Sequence, residues 1–320
     1  MAYKNRWKDT VSWLLDSNPS LRWQVMRDLL DAPGAEVDQE RARVAVEGHG
    51  AQLLALQDER GYWNNEEYGE DHDRRSVFWS LAALRRFGAD PTDPRVRAAV
   101  ERVQEAVSWK YWDDLPYFHG EVEPCINGGV LSHGAYFGVQ RECSARIIDR
   151  LLAEQVADGG WNCEAPENSK VSSFDTTLCV LEGLLEHERA MGQVPVALAE
   201  ARTRGEEYLL QRSGFKRLST GEVADGRYLN FSFPPYWFYD VLRALDYFRE
   251  AGDAFDARLE PALEMILSQR GTDGRWAAGV TWPGAVYLDV DSPEGEPSRW
   301  NTLRALRVLR WAGVDVAPPY

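Results

Sequence analysis

The 320-residue sequence predicts an all-α protein built from six helical hairpins. A glycine follows each of six apolar segments with helical periodicity, and glycine readily takes the left-handed conformation that closes a helix. No alternating pattern long enough for a useful β-strand interrupts these segments. The six closing glycines are Gly34, Gly88, Gly138, Gly192, Gly252 and Gly313.

Twelve segments carry the helical pattern and pair off along the chain. The first three pairs are 5–16 with 19–31, 38–57 with 72–87, and 94–109 with 125–137. The other three are 141–155 with 172–189, 196–212 with 235–251, and 256–269 with 298–312. Proline or a capping side chain marks several starts. These start signals are Asn18-Pro19, Asp93-Pro94, Val194-Pro195, Pro234-Pro235 and Pro297-Ser298.

The two helices of a pair differ in polarity. The first is more charged, as in 196–212, and the second is often more apolar, as in 172–189. A helix that is apolar nearly all round is buried on several sides, whereas one with a polar stripe faces water. The pairs therefore predict an α6/α6 double ring, a toroid of inner and outer helices, in a single domain spanning residues 1–320. An open superhelix of helical pairs is the alternative.

The composition excludes some classes of function. The chain has 36 Lys and Arg against 51 Asp and Glu, which leaves a formal charge of −15. Nucleic-acid affinity comes mainly from clustered Lys and Arg, so we expect no nucleic-acid partner. Aromatic residues make up 12% of the chain, 13 of them Trp, which indicates a folded protein with a substantial core.

The sequence contains no run of 18 apolar residues, and its start lacks the apolar stretch of a secretory signal. We therefore expect a cytoplasmic protein with no transmembrane segment. Its four cysteines are dispersed and form no C-x-x-C motif, which predicts free thiols. They are Cys125, Cys143, Cys163 and Cys179.

A short motif recurs at three hairpin turns, each of which reads Q-x(3,4)-G-x-W after an apolar helix end. The Gln amide can bond backbone groups where a helix stops, the Gly supplies a positive φ, and the Trp covers the junction. We therefore expect these turns to be structural. The three copies are Gln57, Gly61 and Trp63; Gln155, Gly159 and Trp161; and Gln269, Gly274 and Trp276.

These turns resemble the QW repeats of squalene-hopene and oxidosqualene cyclases, and the related repeats of protein prenyltransferase β subunits. Those families share a double ring of six inner and six outer helices, so the resemblance implies the same architecture that the hairpins predict. It covers essentially the whole chain, and it is more specific for fold than for activity. Triterpene cyclases carry two such helical domains, whereas this chain has length for one ring. Either a smaller substrate fits a single cavity, or a partner or a second copy in a homodimer supplies the other wall.

In a double ring the inner helices run parallel, so their N-termini gather at one mouth of the central cavity. Unsatisfied amides there favour anions and carboxylates. We therefore expect the site to draw on residues near those helix starts. The predicted substrate-binding residues are Asp71, His72, Thr176, Tyr236, Trp237, Asp240, Trp300 and Asn301, beside a catalytic Asp175.

Asp175 is the candidate acid. Cyclisation of a polyene needs a strong acid in a dry pocket and aromatic faces that stabilise cations. In the cyclases the acid is the middle Asp of a D-x-D-D-T-A run that opens an inner helix, and the nearest match is the segment 173–177, Ser-Phe-Asp-Thr-Thr. Both flanking aspartates are missing, so Asp175 has a second interpretation, as a helix N-cap. The string from Asp289 to Ser292, Asp-Val-Asp-Ser, is interpreted as a solvated loop.

The segment 228–245 is the densest aromatic cluster, and we expect part of it to line the cavity wall. A zinc site like that of the prenyltransferases would combine Cys163, Asp175 and one of His72, His119 or His133. The D-x-C spacing of that family is absent, so we expect neither a metal nor another cofactor.

The leading functional hypothesis is a squalene/terpenoid cyclase-like protein that binds an isoprenoid or other hydrophobic small molecule and cyclises or isomerises it by acid catalysis. A non-catalytic binding or interaction module on the same scaffold is the alternative. A glycosidase-like helical barrel is a third, and it requires a pair of carboxylates that face the cavity.

Overall fold

The structure, a computed structural model, describes residues 2–69, 73–139, 141–252 and 254–316. Its helices are α1 Ala2–Leu15, α2 Pro19–Asp28, α3 Gly34–Ala42, α4 Gly48–Ala55, α5 Val77–Phe87, α6 Pro94–Ala106 and α7 Pro124–Phe137. They continue with α8 Arg141–Ala153, α9 Phe174–Met191, α10 Val196–Leu210, α11 Val241–Ala251, α12 Glu260–Ser268 and α13 Arg299–Trp311.

The strands of the described residues are two residues long and form two antiparallel pairs, so the prediction of a mainly helical protein is confirmed. Their bounds are β1 Ser108–Trp109 with β2 Leu115–Pro116, and β3 Trp276–Ala277 with β4 Pro297–Ser298. Single 3₁₀ turns lie at Arg43–Ala45, Tyr117–His119, Gly226–Leu229 and Ala257–Leu259. Within the described ranges, no helix is both long and apolar enough to cross a bilayer.

Contacts between the helices follow a closed order. The six helices α2, α5, α7, α9, α11 and α13 each contact the next in this series, and α13 contacts α2. Six of the remaining helices pack against this series: α1 and α3 contact α2, α4 contacts α5, α8 contacts α7, α10 contacts α9, and α12 contacts α11. The seventh, α6, contacts α4. The most buried helix faces belong to the first set, which places the core along it.

The backbones of α7 and α9 touch at two glycines. A Cβ on Gly128 would lie 2.4 Å from the carbonyl oxygen of Cys179, and one on Gly183 would lie 2.2 Å from the carbonyl oxygen of Gly128. Real Cβ atoms do not approach so closely, so only glycine permits this packing. The contact brings the first turns of both helices to the same side of the molecule.

The structure corrects the prediction of one helix over 38–57. The chain there forms α3, a 3₁₀ turn and α4, because Gly48 takes a φ of 65° that ends any right-handed helix. The prediction that Gly34 closes a helix was also wrong. Gly34 opens α3, while α2 ends at Asp28 and Asp31 takes the left-handed position. Asp tolerates that conformation better than most residues, so no glycine is needed there.

The helix predicted over 235–251 begins later than expected. Tyr236 has a φ of 52°, and Asp240, in an extended conformation, caps α11 by accepting a hydrogen bond from the Arg243 amide. Pro234 and Pro235 therefore lie before the helix and do not start it. The helix predicted from residue 72 likewise begins at Val77.

The three repeated turns have the geometry that their residues predict. In each, the indole N–H donates to a carbonyl oxygen ten residues earlier, and the glycine has a φ between 84° and 103°. The bonds run from Trp63 to Leu53 at 2.8 Å, from Trp161 to Leu151 at 2.7 Å, and from Trp276 to Ile266 at 2.7 Å.

The glutamines of these turns join neighbouring segments, but not all in the same way. The Gln155 amide donates to the carbonyl oxygens of Gly159 and Ala201, both at 2.7 Å, and the Gln57 amide does the same at its own turn. In the third turn Gln269 donates to Leu229 instead. There the neighbouring Arg270 donates to the turn glycine's carbonyl, so a guanidinium replaces the amide.

Gly159 and Gly192 provide a matched test of this turn. Both have positive φ, but a Cβ on Gly159 would lie 2.6 Å from the Arg204 carbonyl oxygen, whereas one on Gly192 would have no atom within 4 Å. We expect Gly192→Ala to cost about 1–2 kcal/mol of unfolding free energy. Gly159→Ala should cost about 1–3 kcal/mol more because it adds the steric contact. Urea unfolding of both variants measures the difference, and equal costs would contradict the packing.

Candidate functional site

One cavity, which we call the arginine chamber, has a volume of about 340 Å³. Its wall comes from α2, α3, α5, α7, α9, α11, α13 and the loop before α11, and among the described residues it carries eight arginines and four carboxylates. The arginines are Arg27, Arg41, Arg85, Arg86, Arg189, Arg243, Arg304 and Arg307, and the carboxylates are Glu182, Glu186, Asp246 and Glu250. This local excess of positive charge contrasts with the acidic chain as a whole.

Most of the buried arginines of the chamber are held by carboxylates on the next helix. Arg243 of α11 donates to both oxygens of Glu182 of α9, at 2.7 and 2.9 Å. Burial alone would raise the pKa of Glu182, but the charge and hydrogen bonds of Arg243 outweigh it and lower the pKa to about 2. Glu182 is therefore held as a carboxylate and does not provide the protonated acid of a glycosidase pair.

Arg86 is less well compensated. The only carboxylate within ion-pairing distance, among the residues that the structure describes, is Glu182 at 3.6 Å, and its oxygens already accept from Arg243. Burial lowers the pKa of Arg86 to about 10 in spite of the attraction of Glu182. Arg86 lines the chamber and the two smaller cavities that adjoin it.

An aromatic neck adjoins the chamber through Arg85, Arg86 and Glu182, which line both. Ring centroids there lie 4.7 to 5.7 Å apart, within the range of favourable aromatic pairs. The free volume between the rings is about 30 Å³. The aromatic neck consists of Tyr68, Phe78, Trp79, Tyr236 and Trp237, so two predicted binding residues line a cavity here.

Arg74 places a cation on these rings. Its guanidinium carbon lies 4.1 Å from the Trp237 centroid, 4.6 Å from that of Tyr236 and 5.2 Å from that of Trp79. The aromatic faces that would stabilise a carbocation therefore already face a guanidinium. Sequence analysis missed Arg74, because nothing in its local pattern shows which rings surround it.

Asp175 lies near the start of α9, but it is not the N-cap. Ser173 caps the helix by accepting from the Thr176 amide at 3.1 Å, so the N-cap interpretation of Asp175 was wrong. The Asp175 carboxylate accepts from the Tyr239 amide at 2.9 Å and from the Tyr228 hydroxyl at 3.3 Å. Within the described residues, it is not part of the wall of the chamber or of the two adjoining cavities.

Other predicted binding residues use their polar groups to hold the fold together. Asn301 donates to the carbonyl oxygens of Phe231 and Ala277, at 2.6 and 3.0 Å. Asp240 is buried beside Arg304, 3.5 Å away, and burial raises its pKa. Thr176 lies against the Cys163 thiol, and Trp300 lines the chamber. Asp71 and His72 lie outside the described residues.

Asp291 departs from the interpretation of its segment as a solvated loop. Its carboxyl group is half-buried and accepts from the Ser298 hydroxyl at 2.5 Å. Burial raises the pKa of Asp291 to about 6, since the Ser298 hydrogen bond offsets only part of the desolvation. Asp289, by contrast, is exposed.

A thiol pair lies where α7 begins. The Cys125 and Cys163 sulfurs are 3.1 Å apart, and with a Glu123 oxygen they form a group whose possible ligand atoms all lie within 4.8 Å. All four cysteines are free thiols, as expected. The hydrogen bond between the two sulfurs lowers the pKa of Cys163 and raises that of Cys125. Of the residues considered for zinc, Cys163 alone among the described ones belongs to this group, and His72 lies outside the described residues.

Comparison with known proteins gives structural neighbours only. No family model and no curated protein sequence matches the chain. A protein from Actinoplanes has 16% identity over 97% of this chain and 99% of its own, with a TM-score of 0.48. The type II terpene cyclase MstE from Scytonema, in its apo form, has 17% identity over 97% and 99%, with a TM-score of 0.47. Likeness at this level carries no argument about activity or ligand.

The raised pKa of Asp291 predicts a pH dependence of stability. The folded state keeps this proton to higher pH than the unfolded state, whose pKa is near 3.8, so stability falls as the pH rises from about 4 to above 6. Relative to Asp291→Asn, the parent should lose on the order of 3 kcal/mol across this window. Urea unfolding at several pH values measures it, with Asp289→Asn as the control. A difference that does not change with pH would refute the shift.

The thiol pair predicts a disulfide. A mild two-electron oxidant should remove one hydrogen from each of Cys125 and Cys163 and join the sulfurs, because they are already 3.1 Å apart. Peptide mapping by mass spectrometry identifies the cross-link. Cys125→Ser should abolish it, while Cys143→Ser should leave it intact. Preferential cross-linking of another pair would contradict the geometry.

Proposed function

We propose that the chain is a single α6/α6 toroid, spanning residues 1–320, that binds a small hydrophobic molecule in its central cavity. The closed order of contacts from α2 to α13 and back supports the ring. The three Gln-Gly-Trp turns, with their shared indole bonds, support a squalene cyclase-like repeat. A cytoplasmic location and a homodimer that completes the cavity wall remain predictions.

The aromatic neck beside the arginine chamber is the observation that carries this proposal. Ligand cavities of about 300–1,000 Å³ are typical for small molecules, and the chamber alone lies in this range at about 340 Å³. The neck supplies aromatic surface for an isoprenoid or other apolar group, and the chamber supplies polar surface for the rest of the ligand. An amphipathic small molecule fits this division best.

Binding without cyclisation is the form of the proposal that the geometry favours. A carbocation at the neck would be repelled by Arg74, which lies over the rings that would have to stabilise it. Asp175 accepts hydrogen bonds from the Tyr239 amide and the Tyr228 hydroxyl, and within the described residues it does not line the chamber or the two adjoining cavities. Acid catalysis by Asp175 is the alternative, and analysis of the reaction products tests it.

Tryptophan fluorescence with farnesol, an uncharged C15 isoprenoid, tests binding at the neck. We expect saturable quenching in the parent, and at least a tenfold weaker affinity, about 1.4 kcal/mol, in Trp79→Leu, which removes the central ring of the neck. Trp7→Leu is the matched control, because Trp7 lies on α1 and lines a different pocket. Failure of the parent to bind farnesol or squalene would overturn the proposal.

Extracts from the same incubations, and from incubations with C15 and C20 prenyl diphosphates, separate binding from catalysis. We expect unchanged substrate from both the parent and Asp175→Asn. A cyclic product from the parent that Asp175→Asn fails to form would establish the catalytic alternative.

A further inference from the structure

Two arginines of the cavity system, Arg74 and Arg86, have no carboxylate of their own within ion-pairing distance among the described residues, and Arg74 also has guanidinium atoms without a hydrogen-bond partner. Both line a third cavity of about 50 Å³, which shares Trp79 and Tyr236 with the aromatic neck. We propose that this third cavity binds an oxyanion, a carboxylate or phosphate group, between Arg74 and Arg86. The inference extends the proposed function, because it names the polar group of a ligand bound beside the neck.

Arg74 carries the largest unmet hydrogen-bonding capacity. Its residue surface is only 5% exposed, and its Nε and Nη2 atoms are buried without a hydrogen-bond partner. Its guanidinium lies over the rings of the neck and is attracted by the Asp73 carboxylate, which is hydrogen-bonded to Arg75, and its backbone amide donates to the Ala285 carbonyl at 2.9 Å. Aromatic faces attract a cation, but they do not accept the in-plane N–H groups of a guanidinium.

Two further buried donors belong to the same wall. The Trp79 indole nitrogen and the Ser80 hydroxyl oxygen have no hydrogen-bond partner within the described chain, and both residues line the third cavity. Trp79 is 5% exposed and Ser80 2%. Three neighbouring residues thus bring four unsatisfied polar atoms to one small cavity, although buried polar groups in folded proteins are rarely left unpaired.

The paired arginines of the chamber provide an internal comparison. Arg243 and Arg307 are as deeply buried as Arg74, and each has a carboxylate on a neighbouring helix, Glu182 and Asp246 respectively. The fold therefore compensates a buried guanidinium where the charge is structural. Arg74 has no such partner in the described residues, and Arg86 shares one that is already used. The two positive charges without full compensation face the same cavity.

The hydrogen-bond donors of this cavity determine which chemical group can bind there. A guanidinium binds carboxylate or phosphate through two parallel N–H···O bonds, and charge-assisted bonds of this kind are about twice as strong as neutral ones. Apolar side chains of Leu53, Leu288 and Val290 complete the wall, so the bound charge would be shielded from water. The small volume admits a compact oxyanion and leaves an attached apolar group to extend along the neck.

The experiment uses the full chain with inorganic phosphate and, separately, acetate, at constant ionic strength. We expect each anion, or at least one of them, to raise the melting temperature saturably, because a ligand that binds only the folded state stabilises it. Arg74→Met should weaken that binding by at least about tenfold. Arg74→Lys should weaken it less, because lysine keeps the charge but cannot donate two parallel hydrogen bonds.

Arg275→Met is the matched control. Arg275 also lies over a tryptophan, with its guanidinium carbon 4.0 Å from the Trp13 centroid, and its Nε also has no hydrogen-bond partner, although Asp273 lies 3.9 Å from it. It lies outside the third cavity. It should keep the response of the parent. Without anion, Arg74→Met should melt no lower than the parent, because it replaces an uncompensated buried charge by an apolar chain. This comparison separates loss of the site from loss of the fold.

Two results would overturn the proposal. One is a parent whose melting temperature does not respond saturably to either anion. The other is an Arg74→Met variant with the response of the parent, which would place the anion in the arginine chamber instead. Neither result depends on the hydrophobic ligand, because phosphate and acetate have no apolar chain that could occupy the aromatic neck. Farnesol binding and anion binding therefore fail or succeed separately.

Discussion

Ion pairs buried between neighbouring helices hold the centre of this molecule together. Arg85 reaches Glu186 between α5 and α9, and the Arg243–Glu182 pair joins α11 to α9. Arg307 of α13 meets Asp246 of α11 and also lies 3.4 Å from Asp28 of α2. Removing one partner from such a pair typically costs about 3–5 kcal/mol, because the other charge stays buried. The helices around the chamber are therefore positioned by charge as well as by apolar packing.

The arginines without a carboxylate of their own differ from these paired arginines. Where the fold needs a guanidinium for structure, it supplies an acid on the facing helix. Arg74 instead lies over the rings of the neck, and Arg86 competes for an acid already bound to Arg243. The rings of the neck therefore face a fixed cation. Its incompletely compensated positive charge is the basis for proposing an anion in the third cavity.

Local signals explain which parts of the fold were predictable. Helical periodicity and the recurrent Gln-Gly-Trp turns depend on residues close together in sequence, and both agree with the structure. The predicted helix boundaries were wrong where a single residue has a backbone conformation outside the right-handed helical region. Gly48 broke a predicted helix, and Tyr236 has a positive φ although an aromatic residue rarely adopts one.

The sequence alone was sufficient for the helical class, the turns and the aromatic character of the segment that reaches the neck, because periodicity and turn chemistry are local. The site was decided by tertiary structure. Arg74 contacts Trp237, and the Cys125 thiol contacts Cys163, only because the fold brings together segments that are distant in sequence. Asp175 received its hydrogen-bond donors in the same way, from a loop more than fifty residues further along the chain. Charge compensation and hydrogen-bond satisfaction depend on these long-range contacts, which a linear pattern does not contain.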